Sequence, residues 1–125
     1  MVNVTKIFEF AASHYLPSHE GKCKNDHGHN FKLEVTVTGE IKTTGPEAGM
    51  IIDFNNLKEI VKRSIIDTYD HSCLNVFFHN PTAEVLSLCF SEAIQKLLPH
   101  DVFVVKVRVW ETSFNYATWV KGLSK

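Results

Sequence analysis

The stretch HGHNFKLEVTVTGE, residues 27–40, limits the folds open to this chain more than any other. Phe31, Leu33, Val35 and Val37 alternate with Lys32, Glu34, Thr36 and Thr38, so a two-residue period sends the apolar set to one face and the polar set to the other. Such a segment is a strand with one face on a core, the pattern of an antiparallel sheet that leaves its other face open. A second run, VTKIFEFAASH, alternates less sharply, with Val4, Phe8, Phe10 and Ala12 set against Thr5, Glu9 and Ser13. It reads as a partner strand.

Beyond residue 40 the period changes. TTGPEAG is a turn-rich connection, and MIID after it reads as a short strand. In FNNLKEIVKRSIIDTY, Leu57, Ile60, Val61 and Ile65 fall at helical spacing, with Asp53 or Asn55 available as the cap. A second helix is expected from NPTAEVLSLCFSEAIQKLL. Asn80 is its expected cap, Pro81 suits its first position, Leu86, Cys89, Phe90, Ala93 and Leu97 form its stripe, and Pro99 closes it. DVFVVKVRVWET then gives a strand with Val105, Val107 and Val109 in phase, and NYATWVKG a last strand. This order implies an α+β fold, an antiparallel β-sheet with two helices packed on one face.

Composition narrows the function. The 125 residues suit a single domain, with a core large enough to need neither a disulfide nor a structural metal. A metal, if bound, therefore serves chemistry. Thirteen basic and 14 acidic residues leave a formal charge of −1 with no run of one sign, which argues against nucleic acid or an anionic membrane as partner. Cys23, Cys73 and Cys89 show neither C-x-x-C spacing nor a secreted framework, and no segment has the apolar length of a signal peptide or a membrane span. The expectation is a cytoplasmic, soluble protein.

Strand phase locates the chemistry. His27 and His29 are two residues apart and in phase with Phe31 and Leu33, while His14 continues the set of Phe8, Phe10 and Ala12. If the two strands pair antiparallel, all three imidazoles meet at one end of the core face. One histidine at a strand end is usually solvated. Three converging ones make a zinc set, with a fourth position open to water or substrate. His19, His79 and His100 sit in loop-like contexts and read as surface residues.

Three further features bear on the site. Cys23, four residues before His27, is either a fourth thiolate ligand or a base held beside the metal. Asp70 and His71 stand side by side after the first helix, where the carboxylate can orient the imidazole for proton transfer or simply join it in turn hydrogen bonds. Glu111 continues the phase of Val105, Val107 and Val109 and so ends an apolar face with a carboxylate. It suits either a salt bridge or bidentate capture of the N–H groups of a guanine or pterin ring.

FEFAASH, CKNDHGHNF, GMIIDFNNLK, YDHSCLN, NPTAEVL and VWET cover almost the whole chain. In order and spacing they resemble the family of 6-pyruvoyl-tetrahydropterin and 6-carboxy-tetrahydropterin synthases. The resemblance implies a T-fold (tunnelling fold), zinc on His14, His27 and His29, Cys23 as catalytic thiol, Asp70 with His71 as proton relay, and Glu111 as pterin anchor and part of that relay. The C-x-x-x-H-G-H spacing of Cys23 to His29 resembles the carboxy branch, which makes 6-carboxy-5,6,7,8-tetrahydropterin for queuosine (7-deazaguanine) biosynthesis from a pterin triphosphate. A pyruvoyl-type synthase is the alternative on the same scaffold, and a non-catalytic zinc or pterin-binding module is the alternative of another class. Similar proteins form hexamers, dimers of trimers, with active sites between subunits. Lys22 and Lys24 are the nearest candidates for the triphosphate.

Overall fold

A computed structural model describes residues 1–18, 21 and 26–122. Strand β1 (Asn3–His14) pairs antiparallel with β2 (His27–Gly39) along its whole length, from Asn3 opposite Thr38 to His14 opposite His27. The alternation seen in the sequence is the cause. Phe10, Ala12, Phe31, Leu33, Val35 and Val37 are buried on one face, and pairing at any other parity would send that set to solvent.

Two helical segments cover this face. Helix α1 (Phe54–Val61) starts at Asp53, whose carboxylate accepts the Asn55 N–H at 2.7 Å. It runs into a π-helical turn, Lys62–Ile66, and a final turn α2 (Asp67–Tyr69). Beyond it comes β3 (Ser72–Cys73), then a 3-10 turn, Leu74–Val76. The long helix α3 (Ala83–Leu97) is capped by Thr82, which accepts the Val85 N–H, and buries Leu86, Phe90 and Ile94. Strands β4 (Val102–Trp110) and β5 (Tyr116–Val120) complete a sheet of order β3-β1-β2-β4-β5.

The sheet is antiparallel from β1 through β5, but β3 lies parallel to β1 at Ala12 and Ser13, so the whole is mixed. Several expected details differ. MIID is not a strand. Ile51 and Ile52 are both buried, which a half-exposed strand would not allow. Thr82, not Asn80, caps α3, so Pro81 precedes the helix. Leu97 is partly exposed, and Ile94 supplies the burial on the last turns. Val105 is out of phase with Val107 and Val109. The β2–β4 register shifts there, with Thr36 opposite Lys106 but Val37 opposite Val104, which leaves Val105 as a bulge.

The core leads directly to the site. Phe31 is fully buried, stacks on Phe10 with ring centroids 5.1 Å apart, and meets the rings of His14 and His29 edge-on, both at 5.7 Å. Burial of a side chain of this size contributes about 1.5–3 kcal/mol. Here it also gives the imidazoles a rigid floor.

Candidate active site

The β1–β2 register brings the histidines together. His14 faces His27 directly across the pair, and His29 faces Ala12, one step along on the same face. Ring centroids are 4.6 Å apart for His14 and His27, 4.7 Å for His27 and His29, and 5.1 Å for His14 and His29. Glu111 arrives from the end of β4, where its N–H donates to the Asn115 carbonyl across the connection to β5. Its phase with Val107 and Val109 puts the carboxylate among the imidazoles. His14, His27, His29 and Glu111 each offer a ligand atom, and these atoms lie within 4.8 Å of one another.

The contacts in this cluster call for a cation. His14 is buried, and its Nδ1 lies 2.8 Å from the Pro81 carbonyl oxygen, which can only accept, so the proton is on Nδ1. A neutral His14 then presents a lone pair at Nε2, 2.9 Å from Glu111 Oε1. His29 Nε2 lies 3.2 Å from the same oxygen, is buried, and has no hydrogen-bond partner among the described residues. Burial, with His14 and His27 beside it, lowers the His29 pKa despite Glu111, which favours the neutral, ligating form. An orphaned neutral imidazole, a second imidazole facing a carboxylate and a third within reach form a nitrogen-rich donor set. These residues fit zinc.

A separate arrangement flanks the cluster. Asp70 Oδ1 accepts the Ala11 N–H at 2.9 Å, and the His71 N–H donates to the Ala11 carbonyl. The two residues thus clasp both backbone groups of one β1 residue. The Ala11 N–H, first, and His71 hold the Asp70 pKa below the ordinary carboxylate value. Asp70 Oδ2 lies 3.1 Å from His71 Nδ1, which fixes the imidazole with Nε2 outward, and His71 is mostly exposed at a left-handed φ of 61°. A non-glycine residue there is uncommon and marks a constrained position. His71 and His29 border one open groove of about 500 Å³, together with Ser13, Asn30, Ser72 and Cys73. A smaller groove of about 310 Å³ lies beside Glu111, lined also by Ala83, Glu84, Asn115, Tyr116 and Ala117.

The structure thus joins four of the expected residues, places Asp70 and His71 as a hydrogen-bonded pair on an adjoining groove, and leaves Cys23, Lys22 and Lys24 outside the described residues. Two contributors escaped the sequence. The Pro81 carbonyl carries no side-chain signature. The backbone of Ala11 could be found only from the parallel β3 contact.

A sequence model of the family described as 6-pyruvoyl tetrahydropterin synthase matches residues 3–121. The chain belongs to that family. It is therefore a lyase of the tetrahydropterin synthase kind. A Haemophilus influenzae protein named 6-carboxy-5,6,7,8-tetrahydropterin synthase is 30% identical over 144 residues, covering 95% of this chain and 99% of that protein. A Pyrococcus furiosus protein named dihydroneopterin monophosphate aldolase is 44% identical over 85 residues, covering 68% and 69%. Among solved structures, 6-pyruvoyl tetrahydropterin synthase from Caenorhabditis elegans superposes with a TM-score of 0.82 at 27% identity, covering 97% of this chain and 96% of that one. No helix among the described residues is long and apolar enough to cross a membrane.

Proposed function

We propose that the protein is a zinc-dependent 6-carboxy-5,6,7,8-tetrahydropterin synthase that converts 7,8-dihydroneopterin triphosphate to 6-carboxytetrahydropterin, acetaldehyde and triphosphate, for queuosine biosynthesis. The observation that carries it is the convergence of His14, His27, His29 and Glu111, with the buried His29 Nε2 lacking a hydrogen-bond partner among the described residues. The carboxy product is supported by the nearly full-length similarity to the Haemophilus influenzae synthase and by the spacing of Cys23 to His27.

In this reading His14, His27 and His29 hold the metal, which supplies Lewis acidity toward the hydroxyl-bearing side chain of the substrate. Glu111 holds the N–H edge of the ring, with the groove beside it as the ring's seat. Cys23 acts as thiolate base and takes the proton from the side-chain carbon. His71, oriented by Asp70 through Nδ1, passes protons at its outward Nε2 across the groove it shares with His29. The two sheet edges, β3 and β5, support assembly into a cytoplasmic homohexamer, because an uncovered edge favours pairing with another chain.

Incubating the purified protein with dihydroneopterin triphosphate and identifying the products tests the proposal. Acetaldehyde with a carboxylated pterin is the expected pair. A pyruvoyl pterin without acetaldehyde would overturn the carboxy assignment. The similarity to the Pyrococcus furiosus aldolase favours a second reading, carbon–carbon cleavage of the monophosphate. In that case the monophosphate would be turned over faster, with the phosphate found on the small aldehyde fragment.

A further inference from the structure

Glu111 stands between two sites with incompatible demands. On one side, Oε1 is 2.9 Å from His14 Nε2 and 3.2 Å from His29 Nε2. In a tetrahedral site with ligands about 2.1 Å from the metal, neighbouring ligand atoms are about 3.4 Å apart. Both separations are already close to that edge length. On the other side, Glu111 lines the groove bounded by Glu84, Asn115 and Tyr116, and its side chain keeps 27% of its surface exposed.

We infer that Glu111 is the fourth metal ligand of the resting enzyme and exchanges onto the pterin ring when substrate enters. This rests on the metal and pterin readings given under Proposed function. The adjacent N–H groups of a pterin lie at the opposite end of the bicyclic ring from its side chain, so a carboxylate that holds that edge while the side chain reaches the metal cannot also keep an oxygen among three imidazoles. Capture of the ring therefore vacates a metal position at the moment the substrate side chain arrives to fill it. Until then the site is closed by a carboxylate, as in a structural site, and afterwards it has the open position of a catalytic one. Ring and metal compete for one group, and linkage makes the competition reciprocal.

The experiment uses the full-length protein loaded with cobalt(II) in place of zinc, and unsubstituted pterin, which has the ring but no side-chain hydroxyls to bind metal. The visible ligand-field spectrum reports the ligand set and requires no turnover. Adding pterin to the wild-type protein is expected to change the spectrum toward that of Glu111→Ala. Removing the metal should tighten pterin binding severalfold, measured by its fluorescence. In competition with a chelator, Glu111→Ala should hold zinc at least about tenfold more weakly, since loss of even an outer partner of a ligand costs about 10- to 100-fold. The wild-type titration needs no variant, so it decides the matter even if Glu111→Ala folds poorly. A spectrum unmoved by bound pterin would overturn the exchange while leaving the metal site and the pterin site standing. Failure to bind cobalt or pterin at all would overturn the exchange together with the reading it rests on.

Discussion

His14 Nδ1 donates to the Pro81 carbonyl at 2.8 Å, joining the end of β1 to the residue that precedes the cap of α3. This contact fixes the tautomer, turns Nε2 toward the metal position and satisfies a backbone acceptor in a buried place. Such partners of a ligating histidine set its orientation and basicity.

The first prediction follows from that contact. His14→Ala should abolish stoichiometric zinc binding and leave the Pro81 carbonyl without its donor, a loss of about 1–3 kcal/mol. Metal analysis and urea unfolding of the metal-free proteins measure the two effects separately. A variant with full zinc content, or with unchanged metal-free stability, would contradict this role.

The proposed function gives Cys23 the proton abstraction and leaves metal binding to the histidines. Cys23→Ala should retain zinc at wild-type stoichiometry and lose activity by about 10²- to 10⁴-fold, the range for removal of a general base. Loss of zinc in step with activity would make Cys23 a ligand.

Asp70 ties acid sensitivity to its contact with Ala11 and His71. Its pKa is depressed in the folded protein, mainly by the Ala11 N–H, so the unfolded chain binds the proton more readily. Its contribution is fully present above the unfolded value, about pH 4, and is lost as the pH falls from there through the lower folded value. Asp70→Asn keeps an oxygen for the Ala11 N–H but carries no charge. Its unfolding free energy should fall less steeply than wild type below about pH 4, measured by denaturant titration on the metal-free proteins. Parallel pH profiles would refute the assignment.

Asn75 closes the strap that Asp70 opens. Its Oδ1 accepts the Tyr15 N–H at 2.9 Å and its Nδ2 donates to the Tyr15 carbonyl at 2.8 Å, as a neighbouring strand would. Residues 70–75 are thus fastened at Ala11 within β1 and again at Tyr15, just past its end, on either side of His14. Asn75→Ala should destabilise the protein by about 1–3 kcal/mol, while zinc content stays unchanged. Thermal or urea unfolding with metal analysis checks both parts, and a stability change near zero would show that water replaces the amide.

The half-buried strands were legible because burial on one face imposes a two-residue period, and that period, with antiparallel pairing of the two strands, placed His14, His27 and His29 together. The start of α1 was legible for a similar local reason, with Asp53 and Asn55 both available as caps and the structure using Asp53. Features settled by tertiary contact were not. β3 is two residues long and exists because β1 offers a free edge at Ala12 and Ser13, which no pattern within YDHSCLN encodes. Asn80 and Thr82 are both competent caps, and the choice fell to Thr82. The meeting of Glu111 with the histidines required both the β4 phase and the sheet order, of which only the first can be read along the chain.

The bulge at Val105 acts as a reading frame for the site. Val102 and Val104 point inward on even numbers, whereas Val107, Val109 and Glu111 do so on odd ones, and a single unpaired residue reconciles the two parities. A strand that ran on without it would turn Lys106, Arg108 and Trp110 toward the core and carry the carboxylate to the outer face. Deleting Val105 would instead join Val104 to Lys106 opposite Val37 and Thr36, keep both pairings and every facing, and leave the carboxylate on the site's side. Whether residue 105 stands outside the ladder therefore decides, six residues ahead of Glu111, which face the carboxylate takes.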